Sequence, residues 1–169
     1  MTVRVVDTNV ILVANGQHKD VAPECVTACA QALENIMKSG KLVLDDRFRI
    51  LSEYLNKTQP KKGKGPGDAF IKWALNNSRN TKKVDQVVLQ EHDERGFASF
   101  PDHPDLLNFD APDRKFVAVS GAHPGKPSIA QAADSKWLDW APALLQHGIE
   151  VDFLCQSDVQ RFHEKKFGR

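Results

Sequence analysis

Short apolar runs alternate with helical segments along almost the whole chain, and this alternation limits the possible folds more than any other feature. The run Val3–Val6 is short and β-branched except at Arg4, which is typical of a strand in a parallel sheet. Apolar residues from Val26 to Met37 instead recur at helical spacing, and Gly40 is suited to end that helix. The alternation predicts an α/β fold, a single three-layer α/β/α domain with a mostly parallel central sheet.

The predicted elements contain no internal repeat and no second domain. We expect the domain to cover residues 1–155, followed by a basic tail at residues 156–169. A loop rich in Lys, Gly and Pro covers residues 57–67, and Asp68 is a candidate N-cap for the next helix. The expected strands are residues 3–6, 41–46, 84–90, 127–132 and 149–155, and the expected helices are residues 9–14, 20–40, 47–56, 68–77, 111–123 and 135–147.

Composition excludes several classes of protein. The chain has 169 residues, of which 41% are apolar, and this is sufficient for one hydrophobic core. It begins directly with a strand that runs into a charged residue, which is unlike a secretory signal. No apolar run approaches the roughly 18 residues that a membrane span requires. We therefore expect a cytoplasmic protein without a membrane partner.

The chain has three cysteines, an odd number that argues against a secreted disulfide scaffold. Cys25 and Cys29 lie four residues apart, on one face of the predicted helix. Such a pair could be half of a metal site, but no further Cys or His pair at ligand spacing completes it. We interpret these two cysteines and Cys155 as small buried thiols.

Acidic residues are expected to gather at one edge of the sheet. The carboxyl ends of parallel strands share an edge, and ligands of α/β proteins bind there. Asp7 directly follows the apolar pair Val5 and Val6 at the end of the first strand, where a charge is costly to bury unless it is paired or bound to a metal. Each of the others also has a structural interpretation, as a helix cap or a solvated residue. The acids at or near this edge are Asp7, Asp45, Asp46, Glu53, Asp113 and Asp134.

Several carboxylates at one edge repel one another, and a divalent cation relieves that repulsion. Ligation by oxygen alone suits hard cations such as Mg²⁺ or Mn²⁺. A cation held in this way can orient a phosphate, activate water and stabilise a leaving oxygen. The sequence therefore predicts a site for Mg²⁺ or Mn²⁺.

Four segments, in order along the chain, together resemble the PIN-domain nucleases. "VVDTNVIL" is similar to the opening motif of that family, with Asp7 as the first metal-binding acid and Asn9 as its polar companion. "RILSEYL" is similar to the helix that carries the second acid, here Glu53. "DAPDRKFVAVS" resembles the third motif, with Asp113, and "IAQAADSKWLDWA" the fourth, with Asp134. The last strand, "GIEVDFL", is also similar to the closing strand of the family.

Two departures from the family pattern bear on the site. Ala133 precedes the fourth acid where many relatives have Thr or Ser, while Ser135 follows it. Asp110 lies three residues before Asp113 and is an alternative third acid. We favour Asp113 because its spacing to Phe116 matches the motif better.

The resemblance implies a metal-dependent nuclease that hydrolyses phosphodiester bonds, in particular an endoribonuclease acting on single-stranded RNA. Water activated by Mg²⁺ or Mn²⁺ would attack phosphorus and leave a 5′-phosphate and a 3′-hydroxyl. The resemblance also implies a toxin–antitoxin or phage-defence setting, an antitoxin or defence component as protein partner, and compatibility with a homodimer. An inactive module that binds RNA or protein is the alternative. A phosphatase is disfavoured because "DTN" lacks the second Asp of a D-x-D motif, and the chain has no G-x-x-x-x-G-K-[ST] loop.

Charge is segregated along the chain although the net charge is only +1. Residues 57–83 contain eight Lys or Arg and one acid, whereas residues 84–113 contain eight acids and one Arg. A basic loop after the Glu53 helix is suited to follow a phosphate backbone, although it could equally be a solvated loop. Tryptophans at 73, 137 and 140 are expected in the core rather than stacked on bases. The residues assigned to substrate binding are Asn9, Lys61, Lys62, Lys64 and Lys72.

Overall fold

The computed structural model describes residues 1–168, and its centre is a five-stranded parallel sheet in the order β3-β2-β1-β6-β7. Helices cover the sheet, so the predicted three-layer α/β/α fold is confirmed. The strands are β1 (Val3–Val6), β2 (Lys41–Asp45), β3 (Val84–Val87), β4 (Glu91–His92), β5 (Gly96–Phe97), β6 (Ser128–Gln131) and β7 (Val151–Phe153). The helices are α1 (Thr8–Ala14), α2 (Pro23–Ser39), α3 (Arg49–Lys57), α4 (Pro66–Asn77), α5 (Arg114–Ala122), α6 (Lys136–Gln146) and α7 (Gln156–Phe167).

The central strands are apolar because both faces of the sheet are covered. Val5 and Val6 of β1 are fully buried, as is the Leu42–Leu44 run of β2. Helices α1, α2 and α4 pack against one another, while α5 packs on β1, β2 and β6. The continuous apolar pattern of these strands therefore reflects burial on two sides.

The two tryptophans of α6 are in the core, as predicted, and the third is partly buried. Trp137 is fully buried and Trp140 is nearly so, and both rings contact Phe109. Trp73 is half-buried and stacks on Phe70. None of these indoles lies on the surface as a ready platform for a base.

Three local predictions differ from the structure. Gly65, not Asp68, precedes α4; Asp68 lies inside the first turn and accepts a hydrogen bond from the Gly65 amide. Pro66 starts the helix two residues earlier than expected because proline is well suited to the first helical position. The segment Glu94–Phe109, where neither strand nor helix was predicted, contributes β5 to a two-stranded hairpin with β4 and also contains a short 3₁₀ helix.

The predicted tail is structured as α7 over residues 156–167, while Arg169 of that tail lies outside the described residues. Val159 is buried, and Asp158 accepts a hydrogen bond from the amide of Ala22. Few apolar residues mark this helix in the sequence. Its basic residues lie mainly on the exposed side, which explains why composition alone suggested a tail.

The cysteines are buried, as predicted, but not all of them are thiols. Cys25 on α2 and Cys155, just before α7, form a disulfide that joins residues 130 positions apart. Cys29 is a free and buried thiol. The interpretation of three thiols was wrong because spacing along the chain cannot reveal a partner so distant in sequence. Among the described residues, no helix combines the length and apolarity needed to cross a membrane.

Candidate active site

The site lies at the carboxyl edge of the sheet, where the chain changes direction. From β1 the chain moves to β2 on one side, and it later returns to β6 on the other side of β1. In such sheets a crevice opens beside the strand where the order reverses. Asp7 follows β1 and Asp134 follows β6, and the amide of Asp7 donates a hydrogen bond to the Ala130 carbonyl over 3.0 Å. The first and fourth acids are therefore brought together by the pairing of two adjacent strands.

Asp7 is the N-cap of α1 and is almost fully buried. One carboxylate oxygen accepts a hydrogen bond from the Asn9 amide over 2.9 Å. This backbone arrangement explains the DTN sequence, since the acid satisfies an amide at the start of the helix while it points to the strand edge.

Asn9 connects the first motif to the fourth. Its side-chain oxygen accepts a hydrogen bond from the amide of Ala133, 3.2 Å away and 124 positions later in the chain. Asp134 follows immediately, and its carboxylate accepts a hydrogen bond from the Lys136 amide. Asn9 thus holds the turn that presents Asp134, a positioning role in addition to the substrate contact predicted for it.

Glu53 projects from α3, and both of its carboxylate oxygens have partners. Oε1 accepts a hydrogen bond from the Lys115 ammonium over 2.7 Å, and Oε2 accepts one from the Thr8 hydroxyl. The two charged side chains are largely buried, with 12% of Lys115 and 18% of Glu53 exposed. Tyr54, fully buried beside Glu53, donates its hydroxyl to the Val6 carbonyl and fastens α3 to β1.

The third acid lies where a 3₁₀ turn runs into α5. Among the described residues, no group donates a hydrogen bond to the Asp113 side chain. The alternative acid, Asp110, is instead paired: its carboxylate accepts a hydrogen bond from the Lys136 ammonium over 3.1 Å and forms an ion pair with it. This difference supports Asp113 as the member of the acid cluster with free oxygens.

The raised pKa values of these acids indicate that the four carboxylates lie near one another. Burial, followed by repulsion from Asp113, Asp134 and Glu53, raises the pKa of Asp7 to about 8. Burial and the same kind of repulsion raise the pKa of Asp113 to about 6. The pKa of Asp134 is also raised, chiefly by burial. A cluster in which carboxylates raise one another's pKa is suited to bind a cation.

The four carboxylates, all within the described part of the chain, fit a hard divalent cation in their chemistry, but no three of them have oxygen atoms within ligand distance of one another. All four offer oxygen ligands, as Mg²⁺ and Mn²⁺ require. Within residues 1–168, no three carboxylates bring oxygen atoms within 4.8 Å of one another. The residues with free oxygens are Asp7, Asp113 and Asp134, whereas Glu53 first has to lose its contact with Lys115.

Two other predicted acids do not belong to this site. Asp45 is completely buried and accepts hydrogen bonds from the amides of Arg49 and Ile50, so it caps the start of α3. Asp46 accepts one from the amide of Leu89. Both lie at the carboxyl end of β2, as predicted, but oxygens of both already accept hydrogen bonds from backbone amides.

The four predicted substrate lysines lie on the surface, and two of them line a concavity at the far end of α1. Within the described residues, none of the four has an acidic side chain within salt-bridge distance. Lys62 and Lys64 line a concavity of about 530 Å³ together with Asn15, the residue that follows α1. Seven helical residues separate Asn15 from Asp7, a rise of about 10 Å. The exposed lysines are Lys61, Lys62, Lys64 and Lys72.

A smaller concavity of about 320 Å³ directly adjoins the acid cluster. Its wall includes Asn9 and Asp134 together with the rings of His18 and Phe162, which stack with their centroids 5.6 Å apart. Phe162 belongs to α7, so the sequence analysis did not place it near the site. Thr8 and Lys115 lie within the first and third motifs, but their contacts with Glu53 were not predicted, and the His18–Phe162 pair lies outside all four motifs.

Comparison with known proteins identifies no relative, since no family model, curated protein or solved structure matches this chain. The resemblance to PIN-domain nucleases therefore depends on the four motifs, and the grouping of their acids is the structural observation available to judge it.

Replacing Lys115 with Met should strengthen Mn²⁺ binding and weaken the metal-free fold. The variant removes the ammonium that competes for Glu53, so we expect Mn²⁺ affinity to rise about tenfold. Loss of this partly buried ion pair should lower the free energy of unfolding by about 1–2 kcal/mol. Calorimetric Mn²⁺ titration and urea unfolding measure the two effects. Lys38→Met, which breaks the exposed pair with Glu34 on α2, is the control; unchanged affinity in Lys115→Met would contradict the expected competition.

Proposed function

We propose that this protein is a metal-dependent endoribonuclease that hydrolyses phosphodiester bonds in single-stranded RNA. The observation that carries the proposal is the meeting of four acids from separate motifs at one strand edge, where burial and then repulsion from the other three raise the pKa of Asp7 to about 8. A fold without a use for these acids would gain nothing from burying them together.

The four acids would hold Mg²⁺ or Mn²⁺, directly or through water: Asp7, Glu53, Asp113 and Asp134. When bound, the cation would supply Lewis-acid activation of phosphate and water. The remaining roles belong to residues that orient these acids. Thr8 and Tyr54 position Glu53 and its helix, and Asn9 holds the backbone before Asp134. No protein nucleophile is required.

The substrate would be held by charge and by stacking. Lys62 and Lys64 at the larger concavity are suited to phosphate contacts, because within residues 1–168 neither ammonium group has an acidic side chain within salt-bridge distance. The His18–Phe162 pair beside Asp134 is suited to stack a base next to the bond that is cut. Flexible single strands expose both phosphates and base faces, which favours RNA without secondary structure.

The biological setting is proposed from the family resemblance alone. It implies a cytoplasmic enzyme that acts on RNA, within a toxin–antitoxin or phage-defence system. An antitoxin or defence component would then be a protein partner, and a homodimer is compatible with the family.

A module that binds RNA or protein without cutting is the second candidate. The observation in its favour is the Lys115–Glu53 ion pair, which places a built-in cation on one of the four acids. Such a module would retain the fold and the basic loop, but it would have no need of a metal.

Cleavage of labelled single-stranded RNA and DNA, with Mn²⁺, Mg²⁺ or EDTA, tests the proposal. We expect metal-dependent cutting of RNA that falls about 100-fold or more in Asp113→Asn. Asp102→Asn, which changes an exposed acid without a partner, should cut like the wild type. Circular dichroism verifies that both variants fold.

The binding module makes the opposite prediction for the same samples. RNA bound equally with EDTA and in Asp113→Asn, and never cut, would overturn the nuclease and support the module. Cutting of DNA but not RNA would retain the chemistry and overturn the substrate class.

A further inference from the structure

All three cysteines of the chain meet in one buried cluster away from the acid site. Cys25 and Cys29 lie on α2, and Cys155 lies at the end of the segment between β7 and α7. Their Sγ atoms all lie within 4.8 Å of one another, and those of Cys29 and Cys155 are 3.8 Å apart. None of the three is more than 5% exposed.

The arrangement has the features of a thiolate metal site. Cys25 and Cys29 have the C-x₃-C spacing of ligands that share one helix face, and the third comes from a distant part of the chain. A tetrahedral centre with metal–sulfur bonds of about 2.3 Å separates its sulfur atoms by about 3.8 Å. Cys29 and Cys155 already stand at this separation.

We propose that the chain, once its disulfide is reduced, binds a thiophilic cation through Cys25, Cys29 and Cys155. Soft thiolate ligands select Zn²⁺ or Cu⁺, whereas Mg²⁺ and Mn²⁺ prefer the oxygen ligands of the acid cluster. The two sites therefore differ in the metals that they accept. The proposal is independent of the nuclease activity.

A dithiol reductant is sufficient to reduce the Cys25–Cys155 disulfide. The reductant gives two electrons and two protons to the Cys25–Cys155 bond and becomes a disulfide itself. The chain then has three thiols, and the cation displaces their protons to solvent as three metal–sulfur bonds form. The oxidised chain retains only the Cys29 sulfur for a metal and should not bind one there.

Both states connect α2 to the start of α7. In the oxidised chain the link is the Cys25–Cys155 bond, and in the metal-bound chain it is the cation. Helix α7 carries Phe162, which lines the concavity beside Asp134. Loss of both links should therefore loosen this wall of the active site.

Metal stoichiometry in reduced and oxidised protein tests the proposal. The Asp7→Asn background removes the first acid of the other site. Reduced protein is equilibrated anaerobically with Zn²⁺ or with Cu⁺, freed of excess metal, and analysed by mass spectrometry. We expect one thiolate-bound ion per reduced chain and none in the oxidised chain. Co²⁺ should give the near-ultraviolet charge-transfer absorption of thiolate ligation.

Cys29→Ala separates a three-thiolate site from a chance pair. It leaves Cys25 and Cys155 able to form their disulfide, and it should lower affinity for the cation about 100-fold or more. The oxidised wild-type chain is a control that needs no substitution. No stoichiometric binding by the reduced chain, or equal binding by Cys29→Ala, would overturn the proposal; a preference between Zn²⁺ and Cu⁺ would identify the ion.

Discussion

Replacing Asp7 with Asn should make the metal-free protein more stable, by about 5 kcal/mol near pH 8. The unfolded chain ionises this acid near its ordinary pKa of 3.8, whereas burial and neighbouring acids raise the pKa in the folded state to about 8. Between these values the folded state holds a proton that the unfolded state has lost. Wild-type stability therefore falls as pH rises from about 4 to about 8 on account of this group, and Asn removes that dependence.

The amide also preserves the local structure. Its side-chain oxygen can still accept the hydrogen bond from the Asn9 amide that caps α1. We therefore expect wild type and variant to be equally stable near pH 4 and to diverge progressively above it. Urea unfolding in EDTA, measured from pH 4 to pH 9, records the difference.

Mn²⁺ should narrow this difference in stability. At a concentration 100 times the dissociation constant, ligand binding adds about 2.7 kcal/mol to the wild type, and Asp7→Asn should gain far less. Asp102→Asn is the matched control, since its carboxylate is exposed. An Asp7→Asn variant that is less stable than wild type at pH 8 in EDTA would show that Asp7 is favourably ionised in the folded protein.

Replacing Asp45 with Ala should destabilise the fold by about 3 kcal/mol or more. Asp45 has no exposed surface, and it accepts hydrogen bonds from the amides of Arg47, Arg49 and Ile50. The Arg49 guanidinium adds an ion pair over 3.2 Å. Alanine leaves these buried donors without an acceptor, and Arg49 loses its buried partner.

Urea unfolding at pH 7 measures this loss, and two further variants assign its cause. Asp45→Asn retains one acceptor oxygen and should lose less than Ala. Asp46→Ala removes a partly exposed acid with one backbone contact and should cost about 1 kcal/mol. If Asp45→Ala stayed within 1 kcal/mol of wild type, the cap would contribute much less than its burial indicates.

Asp45 also shows why the sequence could not assign every acid. Asp45 and Asp7 both follow an apolar strand, and the pattern is the same in each case. Their surroundings differ, because the turn after β2 directs its backbone amides at Asp45, whereas Asp7 receives a single amide and faces other acids. Only the path of the backbone distinguishes a cap from a candidate ligand.

Local patterns predicted the main elements and the sheet. Short apolar runs predicted the strands, and apolar residues at helical spacing predicted the helices. Pro23 and Gly40 lie at the two ends of α2. Such patterns depend on neighbours in the sequence and can be read from it. The motifs likewise predicted that Asp7, Glu53, Asp113 and Asp134 meet at one edge. Their order on parallel strands and following helices is sufficient for this, since such strands share one carboxyl edge.

Contacts between distant segments were decided by the tertiary structure alone. The sequence by itself determined an α/β domain with acids at its carboxyl edge. It did not determine that Lys115 contacts Glu53, that α7 brings Phe162 to the site, or that Cys155 reaches Cys25. The two residue pairs lie 62 and 130 positions apart, and the position of Phe162 depends on a helix with few apolar residues. Packing of the whole core brings these groups together, and no local pattern in the sequence indicates it.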